Sequence, residues 1–557
     1  MTTQRRRATA GQPSPLATAL AEALPRLCAP RTPIDPVLTA LLQALTTALE
    51  SGALELDLSG APPEGLDPQW WPQACRQALE VSPLVAWAGA LEANPQAPLV
   101  LAGERLRWRR WHLQLERTLD ALVRRARDPL PEPPEAAALA AARRQAAAAG
   151  LDATQQQAVA AALAHRVLLL SGGPGTGKTS TVVQLLAALL RVHGAQRLQL
   201  AAPTGKAATR LREAIAQGCR QLHPAPADSL LAAPCSTLHR LLESSGERFG
   251  RHARRPLELD LLVVDEVSMV DLPLLAALLE ALPSACRLVL VGDPAQLAPV
   301  GPGPVLQELM QPAWLSQLGS AAVELRTAYR HGGAIAWVAA RLRHGGPIPL
   351  QGLEPELQTL QADANLRWRQ ASAQQPPAEA LAALRQHQQR LAQLAAALDS
   401  GPDGTDDTAA RLLLAELEGC VLLTPVRQGR WGVEALHQLL LGEAAGRPIA
   451  HWPLGTPVLH QRNLPELGVA NGDVGVLVGH GAARRVLLPG GRLLHPARLG
   501  LVEPAFALTV HKAQGSQYGT VWLLLPPGRD WESRLIYTGL TRAREQAWLF
   551  TPAGEAD

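Results

Sequence analysis

Residues 172–179 read Gly-Gly-Pro-Gly-Thr-Gly-Lys-Thr, straight after the apolar run RVLLLS and straight before the helix-like TSTVVQLLAALL. A glycine-rich turn between a buried strand and a helix is a phosphate cradle. Glycines let backbone N–H groups approach an anion, and the helix N-terminus adds a favourable dipole. The nucleotide-binding set is therefore Gly172, Gly173, Pro174, Gly175, Thr176, Gly177, Lys178, Thr179 and Ser180. Lys178 is expected to reach the β- and γ-phosphates of ATP, and the Thr179 hydroxyl to take Mg²⁺.

The segments RVLLLS, RLQLAAP, LDLLVVDE and CRLVLVGD are short buried strands separated by helical stretches. That alternation predicts an α/β fold with a parallel sheet. LDLLVVDEVSM ends its strand in Asp265 and Glu266. Asp265 is placed to hold Mg²⁺ and Glu266 to polarise an attacking water. LVLVGDPAQLAPV puts Gly292, Asp293 and Gln296 at the end of a further strand, where Gln296 can sense a γ-phosphate.

Composition adds one sharp fact. Lys178, Lys206 and Lys512 are the only lysines, and Tyr329, Tyr518 and Tyr537 the only tyrosines. Every one falls in or beside a motif. The net charge of +3 is too small to announce a nucleic-acid binder, so any such contact needs a local groove. The six cysteines are scattered without a Cys-x-x-Cys pair, which argues against a metal cluster and fits a reducing cytosol. No apolar run is long enough to span a membrane, and MTTQRRRATAGQPSP lacks the apolar stretch of a secretory signal.

Taken in order, these motifs resemble superfamily 1 helicases, and SGGPGTGKT, APTGKAATRL, TLHRLL, VVDEVSM and ALTVHKAQGS resemble the RecD family closely. The resemblance implies two RecA-like P-loop domains, a helical N-terminal domain and a small SH3-like β insertion. It makes Gln155 in LDATQQQAV the adenine reader. Thr204, Gly205 and Lys206, with Thr237 and His239, would contact DNA from the first motor domain. Thr509, His511 and Lys512 in ALTVHKAQGSQY would do so from the second. Arg330 in ELRTAYRHGGAI and Arg542 in IYTGLTRAREQAWL would reach the γ-phosphate across the cleft. The catalytic set is thus Lys178, Asp265, Glu266, Gln296, Arg330 and Arg542.

The expected organisation is a partner-docking N-terminal domain over 1–127 and a Pro/Ala-rich linker over 128–150. The first motor domain follows over 151–325, with a β-hairpin wedge at 243–258, and the second over 326–557, with the insertion at 455–502. The Ala/Gln-rich stretch near 374–398 reads as a solvated helical elaboration, and Trp70, Trp71, Trp108 and Trp111 as core or interface. The resemblance further implies 5′→3′ travel on DNA from single-stranded 5′ ends at duplex ends, partnership with RecB and RecC, and a cytoplasmic, nucleoid-associated bacterial protein. No separate nuclease signature stands out, so the chain itself is expected not to cut DNA.

Overall fold

The computed structural model describes residues 13–28, 35–194, 196–220, 222, 224–246, 248–327, 333–344, 365–398, 407–528 and 531–553. The N-terminal segment was expected to be helical, and its helices Pro15–Cys28, Pro36–Glu50 and Gln73–Val81 are present. They pack, however, on a four-stranded sheet of β1 (Glu55–Asp57), β2 (Val85–Trp87), β3 (Leu99–Ala102) and β4 (Arg105–Trp108), ordered β1-β4-β3-β2. Strands this short carry no readable alternation, so a helical pattern dominates the segment. Leu41, Leu42, Leu45, Leu99 and Leu106 form the core between the two layers.

The segment that ends at residue 127 packs directly on the motor. Helix Arg109–Arg127 places Leu115, Leu119, Leu122, Val123 and Ala126 on one stripe, buried in the core of the first motor sheet. The supposed linker carries helix Ala136–Ala148, whose Ala142 and Ala146 pack against Ala158, Ala161 and Ala162 of helix Ala153–Ala164. Small side chains let the two axes approach closely, so an alanine-rich composition here marks packing and not a flexible spacer.

The first motor sheet comprises β5 (Val167–Gly172), β6 (Leu198–Ala202), β7 (Cys235–Thr237), β10 (Leu261–Val264), β11 (Arg287–Gly292) and β12 (Ala322–Leu325). Between β7 and β10 stands a small hairpin of β8 (Ser244–Ser245) and β9 (Arg248–Phe249). The sheet order is β12-β5-β11-β10-β6-β7, and every pairing is parallel. β5, β10 and β11 are buried along their whole length, as strands covered by helices on both faces must be.

The second sheet starts with β13 (Leu366–Ala371) and β14 (Cys420–Thr424). The chain then leaves it for β15 (Pro457–His460), β16 (Val474–Val478), β17 (Arg485–Leu488), β18 (Arg492–Leu494) and β19 (Val502–Pro504). It returns through β20 (Ala507–Thr509), β21 (Tyr518–Leu524) and β22 (Ala543–Pro552). The order β13-β22-β21-β14-β20 is again all parallel. The excursion is a five-stranded antiparallel sheet, β18-β17-β16-β15-β19, around Val458, Leu477, Val486 and Leu488. Helix Ala378–Ala397 is no solvated elaboration: Ala380, Leu384, Leu391 and Ala395 are buried, joining the second sheet to the antiparallel unit. Trp431 and Trp452 are core residues too.

Candidate nucleotide cleft and nucleic-acid face

The phosphate loop, Asp265, Glu266 and Gln296 sit at the carboxyl ends of β5, β10 and β11, where an open parallel sheet binds its ligands. After β5 the loop turns through Gly175 (φ 75°) and Gly177 (φ 78°), left-handed positions that favour glycine and aim successive N–H groups inward. Thr176 Oγ1 donates to the Gly173 carbonyl (2.8 Å) and braces the loop. Lys178 opens helix Lys178–His193, and its Nζ donates to the carbonyls of Gly172 (2.7 Å) and Gly173 (2.8 Å). Thr179 is half-buried beside it, and Ser180 is exposed.

Gln155 is buried against this loop. Its Oε1 accepts from the Asp152 N–H (2.9 Å), closing a capping box, and its Nε2 donates to the Thr176 carbonyl (3.1 Å). A primary amide has a second hydrogen and a second lone pair, so one donor and one acceptor remain for a base edge.

Asp265 follows β10 and accepts the Glu266 N–H on Oδ1 (2.8 Å). Burial, then the neighbouring Glu266 carboxylate, push the Asp265 carboxyl up to about 7, while Lys178 pulls the other way. A divalent cation would reverse that balance. Glu266 has φ 54°, a left-handed conformation that costs a non-glycine residue energy and turns its side chain out of the strand's alternation.

The loop after β11 joins the two sheets. Asp293 is fully buried; Oδ1 accepts from the Ala295 N–H (3.1 Å) and Oδ2 from the Tyr537 hydroxyl (2.7 Å) and Gln296 Nε2 (3.4 Å). Leu297 donates its N–H to Thr538 Oγ1 (2.9 Å), accepts from Gln514 Nε2 (3.2 Å) and packs in the second core. Gln296 Oε1 is buried and, among the described residues, has no hydrogen-bond partner. An orphaned acceptor beside the carboxylates and the P-loop fits a site made for a hydrated phosphate group. Arg542 is buried as well: Nε donates to the Thr538 carbonyl (3.1 Å) and Nη1 to that of Ser516 (3.3 Å). Arg330 lies outside the described residues.

The proposed DNA contacts form a second group. Thr204 caps helix Gly205–Cys219, and Thr237 caps the short helix after β7. Lys206 Nζ lies 5.5 Å from the Tyr518 ring centroid. A Cβ on Gly205 would fall 2.3 Å from Ala470 Cβ, so the antiparallel unit rests directly on this segment. His239 and His511 are exposed. Thr509 Oγ1 accepts from the Lys512 N–H (3.3 Å), while the Lys512 ammonium is paired with Glu503, which also holds Arg427 (2.9 Å). Sequence reasoning missed Glu503, Ala470 and the bonds of Tyr537, Thr538 and Gln514. Tyr537 was signalled by the rarity of tyrosine and by its place in IYTGLTRAREQAWL, though its partner Asp293 was not.

Two family models match: an AAA domain over residues 155–302 and a UvrD-like helicase C-terminal domain over 504–550. The RecBCD enzyme subunit RecD of Mycolicibacterium smegmatis is 38% identical over 399 residues, covering 69% of this chain and 68% of that protein. The ATP-dependent RecD2 DNA helicase of Deinococcus radiodurans is 32% identical over 413 residues, or 70% of this chain and 47% of that one. A solved structure described as two coordinating Pif1 helicases at forked dsDNA matches at 16% identity and a TM-score of 0.40, covering 72% and 92% of the respective chains. The chain belongs to the RecD helicase family.

Proposed function

We propose that this chain is an ATP-dependent DNA helicase, the 5′→3′ motor of a RecBCD-type complex with RecB and RecC. The observation that carries it is the seam at Asp293 and Leu297, where the loop beside the phosphate cradle is bonded to Tyr537, Thr538 and Gln514 of the other sheet. Hydrolysis at such a seam moves one sheet against the other.

Lys178 and the loop N–H groups bind the phosphates, and Gln155 offers its remaining amide edge to adenine. Thr179 and Asp265 would hold Mg²⁺, which supplies neutralisation of phosphate charge. Glu266 takes the proton of the attacking water, and Gln296 orients that water through its unpartnered oxygen. Arg542 retains unused N–H donors for the transferring phosphoryl group, a contribution worth roughly 10³–10⁵ in rate for such fingers. Arg330 is proposed for the same charge. Thr204, Gly205, Lys206, Thr237 and His239 hold the strand on one side, and Thr509, His511 and Lys512 on the other, so cleft closure ratchets DNA. The N-terminal segment is proposed to dock the partner subunits, the hairpin at Ser244–Phe249 to part the strands, and nuclease activity to reside outside this chain, in the bacterial cytoplasm.

The test is DNA-stimulated ATP hydrolysis and unwinding of 5′- and 3′-tailed duplexes, alone and with RecB and RecC, against Lys178→Gln. Unwinding from 5′ tails that Lys178→Gln abolishes and partners enhance is expected. Preference for 3′ tails, DNA degradation by the chain alone, or no turnover in either setting would each overturn the corresponding part.

A further inference from the structure

An arginine not yet assigned a role, Arg343, lies against the phosphate cradle. Arg343 lies near the end of helix Gly333–His344, whose Ala334, Ile335, Val338 and Leu342 pack in the second core. Its Nη2 donates to Glu324 Oε1 (3.0 Å), and Glu324 belongs to β12 of the first sheet, in register with Ser171 at the start of the phosphate loop. The pair therefore spans the cleft. The Arg343 side chain is only 11% exposed.

The other terminal nitrogen is placed by Gly173. A Cβ at that position would meet the Tyr537 hydroxyl at 3.2 Å and Arg343 Nη1 at 3.3 Å. The guanidinium thus lies against the first turn of the cradle, beside the carbonyl that Lys178 Nζ engages. Its charge is also felt by the Tyr537 phenol. Arg542, by contrast, spends Nε on the carbonyl of Thr538 in helix Ser533–Leu540 and Nη1 on that of Ser516.

Resting on the ATP reading of this cleft, we propose that Arg343 is a further phosphate-contacting residue, carried by the second sheet and held over Gly173 by Glu324 until a terminal phosphate competes for it. A planar guanidinium suits either partner, since carboxylate and phosphate present the same pair of acceptor oxygens. Glu324 retains Arg326 as a second cation on Oε2 (3.1 Å), so surrendering Arg343 does not leave it unpaired. The exchange would signal a triphosphate to the second sheet through the helix that bears Arg343.

The test is equilibrium binding of fluorescent adenylyl imidodiphosphate and fluorescent ADP, each with Mg²⁺, to wild type, Arg343→Gln, Arg343→Lys and Glu324→Gln, with circular dichroism to verify folding. Arg343→Gln should weaken the triphosphate analogue roughly tenfold or more, as expected for loss of a charge-assisted hydrogen bond, with a smaller effect on ADP. Arg343→Lys should recover part of that loss. Glu324→Gln should tighten the analogue, because the competitor is gone. If the pair is only an interdomain strut, both Gln variants shift binding in the same direction or not at all, and the proposal falls. Failure of wild type to bind either nucleotide would instead remove the ATP reading itself.

Discussion

The phenol of Tyr537 and the carboxylate of Asp293 come from different sheets and meet in a buried setting. Burial, with the adjacent Asp293 charge, raises the phenol well above its ordinary value, so it remains a donor throughout the physiological range. Tyr537→Phe removes that donor and leaves a buried carboxylate oxygen with, among the described residues, only the longer Gln296 bond. The expected cost is about 1–3 kcal/mol in urea unfolding, with a clear fall in DNA-stimulated ATP turnover; unchanged values in both would show that the bond couples nothing. His437 offers a test by pH. It is buried on helix Val433–Leu441, accepts the Ala507 N–H on Nε2 (3.2 Å), and is held down to about 4, chiefly by burial. The unfolded chain takes up this proton near pH 6.5 and the folded chain does not until about 4. Stability is therefore full above that upper value and falls as pH drops towards the lower one, by roughly 3 kcal/mol at most. His437→Gln, which keeps an acceptor, should flatten that part of the curve in denaturant titrations at pH 7 and pH 5.

At the scale of elements, what the sequence disclosed depended on how much of an element's environment is local. β5, β10 and β11 are buried along their whole length, so each is an almost unbroken apolar run whose meaning needs no partner. The phosphate loop is legible for the same reason: Gly175 and Gly177 serve a turn defined within a few residues. Glu55–Asp57 and Val85–Trp87 become strands only because β4 and β3 lie beside them. Helix Ala378–Ala397 looked solvated because alanine and glutamine fit any surface, yet the backbone of Ala392 approaches Gly455 closely. A Cβ at Gly455 would fall 2.5 Å from the Ala392 nitrogen, at a left-handed φ of 78°. Gly455→Ala should therefore destabilise the protein by about 1–3 kcal/mol through overpacking and strain. A thermal melt unchanged from wild type would mean that the helix and the antiparallel unit are not packed as described.

Across the whole molecule, the N-terminal segment is joined to the motor along a continuous route. The Gly303 N–H donates to the Gly52 carbonyl (3.0 Å), and a Cβ on Gly52 would meet the carbonyl of Pro299 at 3.1 Å, so this backbone lies on the chain just beyond Leu297. Beside it, Arg107 of β4 is 4% exposed and pairs with Glu55 (2.5 Å) and with Glu308 (3.3 Å), the latter on helix Val305–Leu309. Burial, then the Glu55 charge, raise the Glu308 carboxyl, against the pull of Arg107. Such a cluster is costly to break and not costly to replace, because the desolvation penalty persists when only one partner is removed. Arg107→Met should thus destabilise by roughly 3–5 kcal/mol, and the double change with Glu308→Leu should cost less than Arg107→Met alone. A double-mutant cycle in urea reads this directly, and strictly additive losses would show that the charges are uncoupled. If the coupling holds, the same loop that meets Tyr537 and Thr538 on one side bears the N-terminal sheet on the other. A protein bound to that sheet would then act on the nucleotide cleft through a few residues of rigid backbone, and Arg107→Met should weaken any effect of such a partner on ATP turnover.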